Sequence, residues 1–363
     1  MINAADVSSR DEPATSAKNT VTLRPDHPLI HFHGRWDSAP GTWWAGSGFK
    51  LHVAGLKSLV LNLGSHTTAP LVAVGFSIDY APFVTVNVSA GANIIPLPAS
   101  ISGKKNSSVL RLNVEGWQNN RIHLESVELN AGAQVLPYKP SELAFQFIGD
   151  SLTAGQYNVQ GVVSSWGFLT AEAFKAEYTI NAQPGACLTD QLCWGNYHGI
   201  SYQYFKTEDT GYYYTTDHNY TTDWAFKRDI SPTHVVLHIG ANDNAYNITG
   251  DAFVTTYLGF LERLRKLYPQ QPFFVFTPWG WPSADGSVGY YYDGRYAEIV
   301  QKRKKLGDKQ IYLVDTTGWV GWDDVYHDNT HPNEQGHRRV AAQFGAWLEK
   351  WGLRPKKSWP TST

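Results

Sequence analysis

Through the first third of the chain, apolar residues come in short runs mixed with polar ones, and Gly, Pro, Asn and Ser break each run. Phe49 to Val53, Leu59 to Leu63, Leu71 to Ile78, Phe83 to Val88, Val109 to Val114 and Arg121 to Leu129 all read as strands, with no convincing helix among them. Short strands at regular spacing predict a β-sandwich or jelly roll. Pro137-Tyr138-Lys139-Pro140 reads as a linker, and the pattern changes after it. Continuous apolar runs at Phe145 to Ile148, Val235 to Ile239, Phe273 to Phe276 and Ile311 to Val314 alternate with helical patterns at Ser164 to Phe174, Phe253 to Leu267 and Asn333 to Trp351. Strands alternating with helices predict an α/β domain, a parallel sheet covered by helices on both faces. The expected organisation is a polar lead-in over residues 1–24, an all-β domain over 25–138 and an α/β domain over 139–355.

Composition adds exclusions. With 42% hydrophobic and 17% charged residues in 363, the chain is long enough for two cores and does not read as disordered. A net charge of −2 without a long charge run gives no support to a nucleic-acid or membrane-surface partner. The basic cluster Lys302, Arg303, Lys304, Lys305 reads as a solvated helix face. No stretch is apolar enough to span a bilayer, and residues 1–19 are too polar for a signal peptide. Secretion is nevertheless the expectation, from four Asn-x-Ser/Thr sequons at Asn87, Asn106, Asn219 and Asn247 and from two cysteines. Cys187 and Cys193 are close enough for a small-loop disulfide, and two buried free thiols are the other reading. The 14 Trp, 20 Tyr and 16 Phe, several beside Gly and Pro in loop-like stretches, suit either sugar rings or a protein surface.

Three short segments carry candidate chemistry. Gly149-Asp150-Ser151-Leu152-Thr153 follows one strand, Gly240-Ala241-Asn242-Asp243 follows another, and Asp328-Asn329-Thr330-His331-Pro332 precedes the last helix. Each alone reads equally well as a turn or a helix cap. Open α/β sheets place their sites at the carboxyl ends of strands, where all three fall in this order. The combination resembles the SGNH/GDSL hydrolase superfamily over roughly residues 143–352, with Ser151, Gly185, Asn242 and His331 at the four name-giving positions. The resemblance implies a serine nucleophile, Ser151, activated by His331 as general base, whose pKa lies near working pH. Asp328, three residues before His331, is expected to fix the imidazole tautomer, ahead of its neighbours Asp323 and Asp324. The backbone N–H groups of Ser151 and Gly185 and the side-chain amide of Asn242 would form the oxyanion hole. Asp150 and Asp243 are expected to brace their turns. No cofactor or metal is called for, and the sequence lacks a His-x-x-x-His or Cys-x-x-Cys cluster.

A β-rich domain ahead of an SGNH domain resembles carbohydrate esterase family two, and His33-Gly34-Arg35-Trp36 looks like the opening of that family's jelly roll. The resemblance implies removal of O-acetyl groups from plant cell-wall polysaccharide, such as acetylated xylan or glucomannan. In that family a backbone carbonyl can replace the triad aspartate, but with Asp328 present a full triad is the reading here. A monomer with neither nucleic acid nor membrane as partner is expected. Trp279 and Trp281, with Trp194 and Trp322 as further candidates, are expected to contact sugar, and the runs Tyr212 to Tyr214 and Tyr290 to Tyr292 could line a cleft or an interface. Two alternatives stay open. One is a lipase, thioesterase or feruloyl esterase on the same scaffold, and the other is a carbohydrate-binding protein with a spent esterase domain.

Overall fold

The computed structural model describes residues 20–42, 44–98, 107–207 and 222–361; Asn106, Asn219 and Tyr212 to Tyr214 lie outside them. The N-terminal part is a sandwich of two antiparallel sheets. Its strands are β1 (Val21–Leu23), β2 (His31–His33), β3 (Gly41–Thr42), β4 (Gly48–Ala54), β5 (Leu59–Leu63), β6 (Val72–Ile78), β7 (Val84–Val88), β8 (Gly91–Ile94), β9 (Ser107–Val114), β10 (Ile122–Leu129) and β11 (Gln134–Leu136). One sheet runs β1-β10-β5-β8, with β3 paired to β10; the other runs β11-β4-β9-β6-β7, with β2 paired to β4. Alternate residues of β5, such as Leu59, Leu61 and Leu63, meet Leu51, Val53, Val72, Val74, Leu110 and Leu112 in a single core between the sheets. This is the expected β-sandwich. β1 pairs with β10 through Val21 to Leu23, so the first sheet begins ahead of the expected start at residue 25.

The C-terminal part is a five-stranded parallel sheet in the order β13-β12-β14-β15-β18. Its strands are β12 (Ala144–Asp150), β13 (Glu177–Gln183), β14 (His234–His238), β15 (Phe273–Phe276) and β18 (Ile311–Val314), with a small hairpin, β16 (Trp281–Pro282) and β17 (Val288–Gly289), between the last two. The helices are α1 (Ser151–Ala154), α2 (Trp166–Phe174), α3 (Ile200–Gln203), α4 (Ala241–Ala245), α5 (Gly250–Leu267), α6 (Arg295–Lys305) and α7 (Glu334–Trp351). Alternation along the strands divides the apolar residues between two faces. Phe145, Phe147, Phe274 and Phe276 pack under α2 and α7 with Trp166, Phe344 and Leu348. Ile148, Val235, Leu237 and Val275 pack on the other face with Phe253, Tyr257 and Leu261 of α5 and Ile299 of α6. The expected three-layer α/β domain results. Within the parallel sheet the unforeseen strand is β13, whose Glu177, Asn181 and Gln183 are buried; the hairpin β16–β17 was not foreseen either. Among the described residues no helix is long and apolar enough to cross a membrane.

The two parts are joined by buried charge. Lys50 of β4 forms an ion pair with Glu177, the first residue of β13, and both side chains are almost wholly enclosed. Tyr138 from the linker donates to the same carboxylate at 2.9 Å. Burial alone would raise the Glu177 carboxyl, but Lys50 outweighs it and holds it down at about 2. Arg111 of β9 reaches Glu172 of α2 at 2.7 and 2.9 Å. Arg35 reaches Asp229 at 3.3 Å and the Tyr204 carbonyl at 2.7 Å, with its guanidinium 4.6 Å from the Trp224 ring. The chain end past residue 355 also returns to this seam: Trp359 stacks on Tyr80 at 4.6 Å and Thr361 donates to the Lys139 carbonyl at 2.9 Å.

Glu177→Gln leaves the Lys50 ammonium buried without its counter-charge, and this should cost about 3–5 kcal/mol of unfolding free energy in denaturant titration; an unchanged midpoint would refute the role given to the pair. Burial also lowers His33, His238 and His337 to about 3 and His234 to about 4. The unfolded chain binds protons at these imidazoles near pH 6.5, which the folded chain refuses. These four imidazoles therefore contribute stability that is full above pH 6.5 and is lost as pH drops toward 4. The loss is partly offset by the Asp150 and Glu115 carboxyls, which burial raises to about 7 and which act in the opposite sense. Asn or Gln in place of His234 or His238 should flatten the decline in Tm over that range.

Candidate active site

Sheet register brings three loops together at the carboxyl edge. Asp150 of β12 stands opposite Gln183 of β13, and Gly149 stands opposite His238 of β14, so Ser151, Gly185 and Asn242 all lie just past paired strand ends. Gly149 is required by crowding: a Cβ there would lie 2.3 Å from Thr153 Oγ1 and 2.7 Å from the His238 carbonyl oxygen. Asp150 caps the single turn α1 by accepting the Leu152 N–H at 3.0 Å, and Gly155 ends it at φ 75°. Ser151, the first residue of that turn, is 6% exposed.

His331 approaches from the loop ahead of α7. Its Nε2 lies 3.0 Å from Ser151 Oγ. Its Nδ1 lies 3.1 Å from the backbone carbonyl oxygen of Asn329. A carbonyl can only accept, so Nδ1 carries the proton and Nε2 is left bare to accept from the serine hydroxyl. This is the protonation state that a general base needs. Burial lowers the His331 pKa, against the opposing pull of the Asn329 carbonyl and the Asp328 charge. The ring is flanked by Tyr157, edge-on at 4.9 Å, and by Trp281 at 6.2 Å.

Asp328 does not orient the imidazole. Among the described residues its exposed carboxylate accepts only from the neighbouring Asn329 side chain, at 2.9 Å. The reason is a tight turn in which Asn329 and Thr330 both donate to the Tyr326 carbonyl and Thr330 takes φ 57°. That turn aims the Asn329 carbonyl at the ring and sends Asp328 toward solvent. Asp324 is engaged elsewhere, with Arg339 at 2.8 Å and the Gly321 N–H at 2.9 Å.

On the opposite side, Asn242 donates one amide hydrogen to the Ala186 carbonyl at 3.0 Å, which leaves the other for a ligand. Gly185 takes φ 78°, and a Cβ there would lie 2.7 Å from Trp194 Cβ. Asp243 accepts from Leu188 and Thr189 N–H at 2.7 and 2.9 Å, while Asp150 and Asp243 are both raised by burial, Asp150 to about 7. A disulfide joins Cys187 to Cys193 within the same loop. Among the described residues no three His, Cys, Asp or Glu side chains are grouped so as to hold a metal ion.

The four tryptophans separate. Trp281 is half-buried beside His331, and Trp194 is 65% exposed on the rim, edge-on to Tyr246 at 5.7 Å. Trp279 is not on the surface: it is 1% exposed and stacked on His238 at 3.7 Å beneath the sheet end. Its Gly and Pro neighbours bend the chain inward, where the aromatic core takes the ring. Trp322 is half-buried against the core and stacks on His327 at 4.1 Å, a pairing that occupies its face. Tyr157 was not foreseen at the site; a backbone carbonyl in place of the aspartate was the less favoured reading, and no side-chain pattern could signal that it would be the carbonyl of Asn329.

If the carbonyl alone orients His331, Asp328→Asn should reduce kcat/KM on a small acetyl ester by less than about tenfold, where loss of a true triad aspartate costs on the order of 10⁴. The acid limb of the profile should lie below pH 6.5 and move slightly lower in the variant, because Asp328 raises the His331 pKa. A collapse of activity would restore Asp328 to the triad.

Comparison with known proteins agrees with this architecture. The model of the GDSL-like lipase/acylhydrolase family matches residues 147–339. The chain is 23% identical over 351 residues to cellulase/esterase CelE of Acetivibrio thermocellus, covering 92% of this chain and 41% of that protein, so it spans less than half of the relative. The fold is similar to that of a family two carbohydrate esterase from Cellvibrio japonicus, with TM-score 0.71 and 17% identity over 92% of this chain and 98% of the other. It is equally similar to the acetyl xylan esterase Est2A from the rumen bacterium Butyrivibrio proteoclasticus, with TM-score 0.72, 17% identity and the same coverage, 92% and 98%. With its Ser151 loop, its Asn242 segment and its His331 loop all inside a family match that covers more than half of the residues, the chain belongs to the GDSL-like lipase/acylhydrolase family.

Proposed function

We propose that this protein is a serine esterase that removes O-acetyl groups from plant cell-wall polysaccharide, such as acetylated xylan or glucomannan. The observation that carries the reading is the Ser151–His331 contact at 3.0 Å, with the imidazole held in the acceptor tautomer by Asn329. Ser151 Oγ attacks the acetyl carbonyl while His331 Nε2 takes its proton. The oxyanion is received by the Ser151 and Gly185 N–H groups and the free amide hydrogen of Asn242. His331 then returns the proton to the leaving sugar hydroxyl. Water attacks the acetyl-serine by the same route in reverse, releasing acetate and restoring both side chains.

The carbohydrate class is supported by the rim. Exposed rings stand at the site, Tyr157 against His331 and Trp194 beside Gly185 and edge-on to Tyr246, suited to the flat C–H faces of sugars. The names of the relatives, a cellulase/esterase and an acetyl xylan esterase, point the same way. The disulfide and the exposed sequon residues Asn87 and Asn247 fit a secreted glycoprotein, and we read the active unit as a monomer.

Wild type and Ser151→Ala should be compared on p-nitrophenyl acetate, on a long-chain ester, and on acetylated xylan and glucomannan, following acetate release. The wild type is expected to prefer acetyl esters and to release acetate from polysaccharide, and the variant to do neither. Preference for the long-chain ester would overturn the carbohydrate reading while leaving the esterase reading in place. A wild type inert on every ester yet bound to polysaccharide would make this a binding protein.

A further inference from the structure

Beside the dyad lies a groove of about 460 Å³ that the catalytic chemistry does not use. One wall comes from the turn between β9 and β10 of the sandwich, with Glu115, Trp117, Gln118 and Asn119; the other comes from Asn158 and Val159, on the loop that follows Ser151. The volume falls in the range of small-molecule sites.

Both walls are held in place. The Val162 N–H donates to the Glu115 carbonyl at 3.0 Å across the seam. Gly161 takes φ 49° there, and a Cβ on it would lie 2.3 Å from the same carbonyl oxygen. Gln118 donates to Asn196 at 3.3 Å, and Asn196 donates to the Pro184 carbonyl at 3.0 Å, next to Gly185. The sandwich turn therefore touches the loops on both sides of the nucleophile. Tyr157, whose ring abuts His331, immediately precedes Asn158, so the groove adjoins the dyad.

The lining specifies what fits. Asn158 is 8% exposed and donates to the Ser164 carbonyl at 3.5 Å, and its enclosed Oδ1 has no hydrogen-bond partner among the described residues. The half-buried Trp117 supplies apolar surface, and the amides of Gln118 and Asn119 add donors and acceptors. No Lys or Arg lines the groove, so nothing there favours an anionic ligand. We propose that the groove is a subsite for an uncharged sugar unit of the polysaccharide backbone, next to the unit being deacetylated. The inference rests on the deacetylase reading above and assigns the sandwich a share of substrate recognition.

The test uses the full chain and acetylated xylo-oligosaccharides from one to six units. Wild type should show kcat/KM rising with chain length. Trp117→Ala and, separately, the exposed Asn119→Ala should each lower the ratio of kcat/KM on the hexasaccharide to that on the monosaccharide by about three- to tenfold, the value of one ring contact or one hydrogen bond. Thermal melts accompany each variant, because a merely structural defect lowers both substrates together and leaves the ratio fixed. An unchanged ratio in both variants, or a wild type indifferent to length, would overturn the subsite while the deacetylase reading stands. A wild type that hydrolyses p-nitrophenyl acetate but no acetylated sugar would overturn both, and that outcome is visible before any variant is made.

Discussion

The structure turns on the exposed edge of a parallel sheet. β13 is the edge strand, and such an edge is a liability unless something covers it. Its first residue is a carboxylate with no route to solvent, which makes the covering element obligatory. The sandwich supplies the cover, and Lys50, Tyr138 and the Ser141 N–H satisfy Glu177 from outside the strand. Arg111 and Arg35 repeat the arrangement at Glu172 and Asp229. Charge pairs of this kind are poor sources of net stability, but they penalise every misaligned docking. They therefore fix how the sandwich sits, and with it the position of the turn beside the nucleophile.

The proposed dyad shows how little charge such a base would need. A backbone carbonyl orients the Nδ1–H as firmly as a carboxylate would, since the direction of the hydrogen bond sets the tautomer. It stabilises the imidazolium less, because a dipole offers less than a full charge. Asp328, exposed near the ring, adds a screened contribution through space. Burial lowers the His331 pKa and so favours the neutral ring that the proposed mechanism requires, and the turn that positions it holds a strained Thr330 at φ 57°.

Elements whose apolar residues follow a clean period were legible. Phe273 to Phe276 and Ile311 to Val314 are strands as read, and Phe253 to Leu267 lies within α5. β13 was not legible, because Glu177, Asn181 and Gln183 are buried polar residues and break the alternation that marks a strand. Glu177 and Asn181 find partners on other strands, in Lys50 and in Gln146 at 3.0 Å, while the buried Gln183 amide has none among the described residues. Trp279 misled for the converse reason: its loop-like neighbours concealed a ring that stacks in the core. Trp359 and Thr361 carry no local pattern, and their docking depends wholly on the sandwich face they meet.

The amino-acid sequence by itself determined the two-part organisation, the sandwich, the parallel sheet, and the three strand-end segments that carry Ser151, Asn242 and His331, because periodicity and turn chemistry are local properties. Tertiary structure alone decided which group orients the histidine, which tryptophans face the cleft, and that a turn of the sandwich stands beside the nucleophile loop. Those outcomes depend on the direction of a carbonyl in a tight turn and on contacts between residues far apart in the chain, and neither is written in the spacing of side chains.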